Sequence, residues 1–373
     1  MKTNRSRLRA CAAFASLGVL AAVVLSQCSG PLLMPAMDGA VVEIKRSQRS
    51  IQPGEEGYSD TLQLLWFGSG CHVIQLGDLS VVTDPFVTNG ADLLRPRSDP
   101  RRVAATLGKI KPPQAVLINH SHFDHILDAH ETMTLDDWKA AAVPLFGGAT
   151  AKHLLAGWLD EELNARCHAL TADVVSEVPV GRVPSGYALH ATAYPSRHAP
   201  HLSCGTVFLD RKLTEPRTSP PSNALDYPAG EVFNYLLELK HGSTSFTVFS
   251  LGAVADLDEH PHSLPPPGTR IDVLILCAPG ATHVKGYPEA HLNRLRPRHI
   301  VMSHFNTFWK DAPDEQLSTL GRDNVKLADQ LRTLQSASFA GSGAASSRLE
   351  KLHVPALTLM DGPHAARNVI LLK

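Results

Sequence analysis

The order of predicted elements gives an α+β domain, and three stretches carry that prediction. A meander of short β-rich runs fills residues 62–83, a hairpin fills 235–251, and a strand, helix, strand unit fills 271–303. Runs of strands followed by a unit of α/β character in one chain imply sheets with helices packed on them.

Taken in order, Leu62-Gln63-Leu64-Leu65-Trp66-Phe67, His72-Val73-Ile74-Gln75-Leu76 and Leu79-Ser80-Val81-Val82-Thr83 are aliphatic and β-branched runs. Gly68-Ser69-Gly70 and Gly77-Asp78 separate them as turn signals. Ala115-Val116-Leu117-Ile118 predicts a buried strand whose end delivers His120. Residues 142–146 predict another strand, and Thr150 predicts the N-cap of a helix through His153, Leu154, Leu155, Trp158 and Leu159. Strands follow over 173–180, 187–194 and 207–210, whereas Pro and Ser across 214–230 predict an exposed loop. His241-Gly242-Ser243-Thr244 joins the two hairpin strands. A helix over 289–295 lies between strands 271–277 and 299–303, and the second of these delivers His304. A helical run over 314–334, a Ser/Ala/Gly linker over 336–347 and strands over 357–360 and 369–372 close the chain, with no repeat of solenoid period.

At 373 residues, 43% hydrophobic and 19% charged, one large packed domain is the default reading. A formal net charge of −1 supplies no general attraction to nucleic acid or acidic membranes. Lys2, Arg5, Arg7 and Arg9 precede an uncharged run from Ala10 to Leu25, and no acid occurs before Asp38. That pattern predicts a signal segment over 1–28, a linker over 29–58 and the folded body over 59–373. Leu25-Ser26-Gln27-Cys28-Ser29 resembles the lipobox of bacterial lipoproteins, which implies export to the periplasmic face of a membrane and a lipid anchor on Cys28. Gln27 stands where that motif has a small residue, and an uncleaved anchor or an ordinary cleavage site fits the same run. Outside that segment, which also holds Cys11, the cysteines Cys71, Cys167, Cys204 and Cys277 form no CxxC pair, so a zinc knuckle is excluded.

Nineteen histidines are the compositional oddity, and three of them fall in His120-Ser121-His122-Phe123-Asp124-His125. Four candidate ligands within six residues, directly after a buried strand, place imidazole and carboxylate donors in one tight loop. Those are the donors zinc takes in a catalytic site that keeps a position open for water. Zn2+, as one or two ions, is therefore the expected cofactor, with iron or manganese as alternatives; a histidine-rich surface loop is the competing reading.

The run resembles the HxHxDH signature of the metallo-β-lactamase superfamily, which implies a four-layer αβ/βα sandwich. Within it the chain is most similar to the branch of N-acylphosphatidylethanolamine phospholipase D and ascorbate-6-phosphate lactonase types. The similarity rests on Leu65-Trp66-Phe67-Gly68, Thr83-Asp84-Pro85, the signature, and His304-Phe305-Asn306-Thr307-Phe308, across roughly residues 60 to 310. It implies that His120, His122 and a later histidine hold a first metal, and that Asp124, His125 and His304 hold a second. His198, after Tyr194-Pro195-Ser196-Arg197, best matches the later histidine, with His201 and His190 as rivals. Asp84 would orient a ligand histidine, or serve only as a turn residue before Pro85. The aspartate expected after Gly252 to bridge two metals is replaced by Ala253. Asp256 would substitute if the turn is remodelled, with Asp258 behind it; the alternative is that both are surface acids. Lacking a bridge, the centre would hold one tight metal, or a strong and a weak one.

The implied activity is hydrolysis of an ester, lactone, amide or phosphodiester by a metal-activated water, with Asp124 as ligand and proton acceptor. A serine nucleophile is not indicated, since Gly68-Ser69-Gly70 does not match G-x-S-x-G. A mononuclear iron oxygenase of the same fold and a non-catalytic envelope protein that binds metal or ligand are the alternatives. The expected partner is a small-molecule or lipid-like substrate, with no nucleic acid and with membrane contact only through the N-terminal anchor. Specificity would reside in loops over 88–102, 214–230 and 260–268.

Overall fold

Strands buried on both faces organise the chain, as the all-buried β2 (Leu62–Gly68), β4 (Leu79–Thr83) and β12 (Val273–Cys277) illustrate. A computed structural model describes residues 46–47, 50–88, 92, 94–200, 210–279, 283–304, 330, 351–353 and 368–372. The signal segment with Cys28, most of the linker, Cys204, His201, Phe305 to Phe308, the 336–347 linker and the 357–360 strand lie outside the described residues, as do all but one residue each of the 207–210 strand and the 314–334 helix.

Two mixed sheets form. The first runs β1 (Arg46–Ser47), β15 (Asn368–Leu372), β2, β3 (Cys71–Leu76), β4, β5 (Ala115–Leu117), β6 (Leu145–Gly147), β7 (Cys167–Ala169). The second runs β14 (Lys351–His353), β13 (His299–Ser303), β12, β11 (Thr244–Leu251), β10 (Val232–His241), β9 (Tyr187–Ser196), β8 (Ser176–Glu177). β2, β3 and β4 are antiparallel neighbours joined by tight turns, whereas β4, β5, β6 and β7 pair in parallel and need crossovers. Short helices supply much of those crossovers: α1 (Pro100–Ala105), α2 (Phe123–Ile126), α3 (Ala129–Thr134), α4 (Asp136–Ala140), α5 (Ala149–Leu155) and α6 (Glu161–Ala165). On the second sheet α7 (Glu289–Leu295) crosses between the parallel strands β12 and β13.

The period of two along each strand sorts side chains into three cores, hence four layers. Leu62, Leu64, Ile74, Val81, Ala115 and Leu117 face Phe233, Tyr235, Leu237, Val273, Ile275 and Val301 between the sheets. Their alternates Leu65, Val73, Val82 and Val116 pack on the helices with Val103, Met133, Trp138 and Leu154. Leu274, Leu276, Ile300 and Met302 pack on Leu292 and Leu295 of α7. Each fully buried aliphatic contributes about 1.5–3 kcal/mol, so these layers fix the register on which the site depends. The predicted α+β sandwich is the observed architecture.

Local expectations fared unevenly. The 62–83 meander, the hairpin and the strand, helix, strand unit form at nearly the predicted bounds. Thr150 is not the N-cap of α5; that place is Gly148, and Thr150 lies buried inside the helix with its N–H donating to Glu231 Oε2 at 2.9 Å. The helix also stops at Leu155, before Trp158 and Leu159. The 173–180 strand shrinks to Ser176–Glu177, with Asp173 at φ 61, and the 142–146 strand starts three residues late because Ala142 turns the chain at φ 50. The 214–230 segment is only partly exposed: its Tyr227 is fully buried beside Phe123, rings 6.3 Å apart. Cys71, Cys167 and Cys277 are buried free thiols. No helix among the described residues is long and apolar enough to cross a membrane.

Candidate metal centre

The site lies at the C-terminal ends of β4, β5 and β13, where open α/β sheets leave a crevice for ligands. Beyond β5, Tyr235 donates its hydroxyl to Ile118 O at 2.8 Å, and Asn119 Nδ2 donates to Phe233 O at 2.7 Å. Those bonds tie the chain to β10 of the opposite sheet one residue before His120. Gly252, just past β11, makes room for this tie, since a Cβ there would stand 2.1 Å from Asn119 Cγ. His120 follows in irregular chain, His122 is extended at the helix start, and Phe123–Ile126 closes a single helical turn that carries Asp124 and His125.

Asp84 locks both ends of this loop. Its Oδ1 accepts from Asn119 N at 2.7 Å and its Oδ2 from His125 Nδ1 at 2.8 Å. A carboxylate on that side fixes the Nδ1–H tautomer and leaves Nε2 for a metal. Gly70 permits the contact, since a Cβ there would stand 2.6 Å from Asp84 Oδ2.

Two groups of donors result. His304 Nε2 lies 2.9 Å from Asp124 Oδ2 and 3.0 Å from His125 Nε2, and His125 Nε2 lies 3.9 Å from Asp124 Oδ2. Tetrahedral ligands about 2.1 Å from zinc stand roughly 3.4 Å apart, so these spacings bracket what one ion requires. In the other group His120 Nε2 and His122 Nδ1 are 3.1 Å apart. His198 completes it, its ring centroid 4.8 Å from that of His120 and 4.6 Å from that of His122. Its Nδ1–H donates to Ala199 O at 2.7 Å, which leaves Nε2 as the candidate donor atom for a metal. The groups adjoin, with the His120 and His125 ring centroids 3.8 Å apart.

Electrostatics suit a cation. Burial, then the neighbouring imidazoles of His125, His122, His198 and His304, hold His120 well below the usual imidazole range, in the neutral form that binds metal. Burial by itself would raise the Asp124 carboxyl, but His125, His304 and His122 outweigh it and hold the group well below the usual carboxylate range. Burial likewise opposes charge on His125, yet Asp84 and Asp124 raise it above an ordinary imidazole.

Sequence reasoning passed over Ser69, taking Gly68-Ser69-Gly70 only as a turn. The Ser69 carbonyl accepts from Trp66 Nε1 at 2.9 Å, Ser303 Oγ at 3.0 Å and the His304 backbone N–H at 3.1 Å. It thereby fixes where β13 delivers its histidine. Ser69, Asp84 and His304 have φ of 44, 39 and 59, three of the six described non-glycine residues at positive φ. Strained backbone gathered around one pocket is a mark of a site the fold was built to hold.

Other candidates stay outside both groups. His190 sits on β9 with its side chain 67% exposed, facing Glu177 at 4.0 Å. Asp256 accepts from Asp258 N at 2.9 Å, and Asp258 pairs at the surface with Lys285 at 2.8 Å. Neither acid joins a donor group, and Ala253 is buried where the bridging acid was expected.

Residues 63–177 match a beta-lactamase superfamily domain. A UPF0173 metal-dependent hydrolase of Pyrobaculum islandicum is 24% identical over 253 residues, covering 66% of this chain and 85% of its own. Another from Anaeromyxobacter dehalogenans is 24% identical over 274 residues, covering 72% and 84%. Among solved structures, Igni18, a metallo hydrolase from Ignicoccus hospitalis, is 16% identical with a TM-score of 0.44, covering 84% of this chain and 99% of its own. The stretch that carries Asp84, His120, His122, Asp124 and His125 thus matches a beta-lactamase superfamily domain, and it is set in a two-sheet α+β sandwich.

Proposed function

We propose that this protein is a metal-dependent hydrolase acting on an ester, lactone, amide or phosphodiester of a small-molecule or lipid-like substrate. One observation carries the reading: two three-donor groups, one all imidazole and one with a carboxylate, adjoin beyond the strand ends. The relatives named metal-dependent hydrolases support it. Imidazole and carboxylate donors favour zinc, and a bound ion would supply Lewis acidity and lower the pKa of a water to about 7.

The chain's own residues prepare that chemistry. Asp84 holds His125 in one tautomer, the Ser69 carbonyl positions His304, and Asp124 offers a depressed carboxylate that stays ionised at neutral pH. We propose Asp124 also as the proton acceptor beside the ligand cluster. The basic and apolar N-terminal run supports the further proposal that this hydrolysis takes place outside the cytoplasm, with Cys28 as a lipid attachment point.

The test is a panel of chromogenic esters, lactones, amides and phosphodiesters assayed before and after complete metal removal, beside a His120→Ala/His122→Ala variant. Turnover should vanish on chelation, return with zinc and be missing in the variant. Activity that survives full chelation overturns the reading. Mass spectrometry of the mature N-terminus tests export, and an intact Met1 in the soluble fraction would refute it.

A further inference from the structure

The two donor groups differ in charge, in support and in rigidity. Asp124 is the one carboxylate in either group; the other group consists of three imidazoles, neutral when they bind a metal. A second buried carboxylate, Asp84, backs the Asp124 group through His125 at 2.8 Å, which adds negative charge beside the ion and strengthens that imidazole as a donor. Asp124 and His125 ride on one helical turn and His304 is held by the Ser69 carbonyl, whereas His198 sits on irregular chain beyond β9 and is only half-buried. Among the described residues no acid is shared by the groups. The chain leaving β11 is Gly252-Ala253-Val254-Ala255, and the first acid after it, Asp256, turns to its own loop.

We propose, resting on the metal-dependent reading above, that the centre is unequal: Asp124, His125 and His304 take and retain the first divalent ion, and His120, His122 and His198 take a second that exchanges readily. The physical reason is that a dication gains most where anionic ligands and held donors already stand. The second cation meets only neutral donors, with no protein carboxylate between it and the first.

The experiment titrates the metal-free full chain with zinc alone and follows heat and metal content. Two steps are expected, with dissociation constants at least about tenfold apart, and one ion should remain after dialysis against a weak chelator. Anomalous diffraction of that one-ion form should place the ion among residues 124, 125 and 304. His198→Ala should abolish the second step and leave the first intact. Asp84→Asn should weaken the first step by roughly 10–100-fold. Asp84 is buried and its variant could fold poorly, but the exposed edge of His198 keeps the other variant informative. Two equal steps, or a retained ion among residues 120, 122 and 198, would overturn the inequality while leaving the hydrolase reading standing. No zinc bound at all would remove both.

Discussion

The two sheets contribute to the same centre in opposite ways. The first delivers four donors from one loop after β5, clamped by Asp84 at the end of β4, so neighbours in sequence become neighbours in space. The second sends one histidine each from the ends of β9 and β13, 106 residues apart in sequence (304 − 198), and aims them through tertiary contacts such as Ser69 O to His304 N. The difference teaches that donors from a local motif need a clamp, whereas donors from separate strands need the whole sandwich in register.

The largest expected effect breaks the first sheet's share. Asp124→Ala should lower turnover on any substrate from the panel by on the order of 10³-fold, about 4 kcal/mol of barrier, with metal content falling in parallel. Retained metal and turnover would mean that the histidines suffice without the carboxylate.

Next comes the clamp. Gly70→Ala puts a methyl group 2.6 Å from Asp84 Oδ2 and 3.1 Å from His125 Nδ1, so something must shift. A loss of about 1–3 kcal/mol in stability is expected, with weaker zinc binding, read by thermal melts with and without the ion. Unchanged melts would show that the Asp84–His125 contact is not the fixed point assigned here.

A comparable effect should appear with pH at His72, buried on β3 and pushed down to about 4 by desolvation, against a hydrogen bond to Gly70 O. Its folded value lies below the ordinary 6.5, so the unfolded chain binds the extra proton between those limits. Stability from neutral His72 is therefore present above about pH 6.5 and drains away as pH falls to about 4, by up to about 3 kcal/mol. In His72→Gln, denaturant melts across this window should show a shallower slope, and an identical slope would contradict the assignment.

The smallest effect sharpens the comparison by a negative. His190→Ala, on β9 but facing solvent, should change stability by less than about 0.5 kcal/mol and leave metal content unaltered. A lost ion would restore it as a ligand.

Much of the fold was legible because the strands announce themselves twice over. Leu79 to Thr83 and residues 299–303 combine aliphatic composition with flanking turn residues, and both formed where predicted. Helical detail was less legible. Thr150 has a good capping side chain, but Glu231, far along the chain, took its N–H and burial took its methyl. Tyr227 sits in a Pro/Ser-rich segment that composition reads as exposed, yet the pocket beside Phe123 and Trp158 buries it.

By itself the sequence determined the meander, the hairpin, the strand that ends on His120, and the donor chemistry of residues 120–125. All of these depend on spacings of a few residues, which local sterics and side-chain alternation settle. Only the tertiary structure decided that His198 and not His190 turns to the centre, that Asp256 stays away, and that the Ser69 carbonyl holds His304. Those outcomes depend on sheet register and on backbone at positive φ, which distant packing imposes and no short stretch of chain encodes.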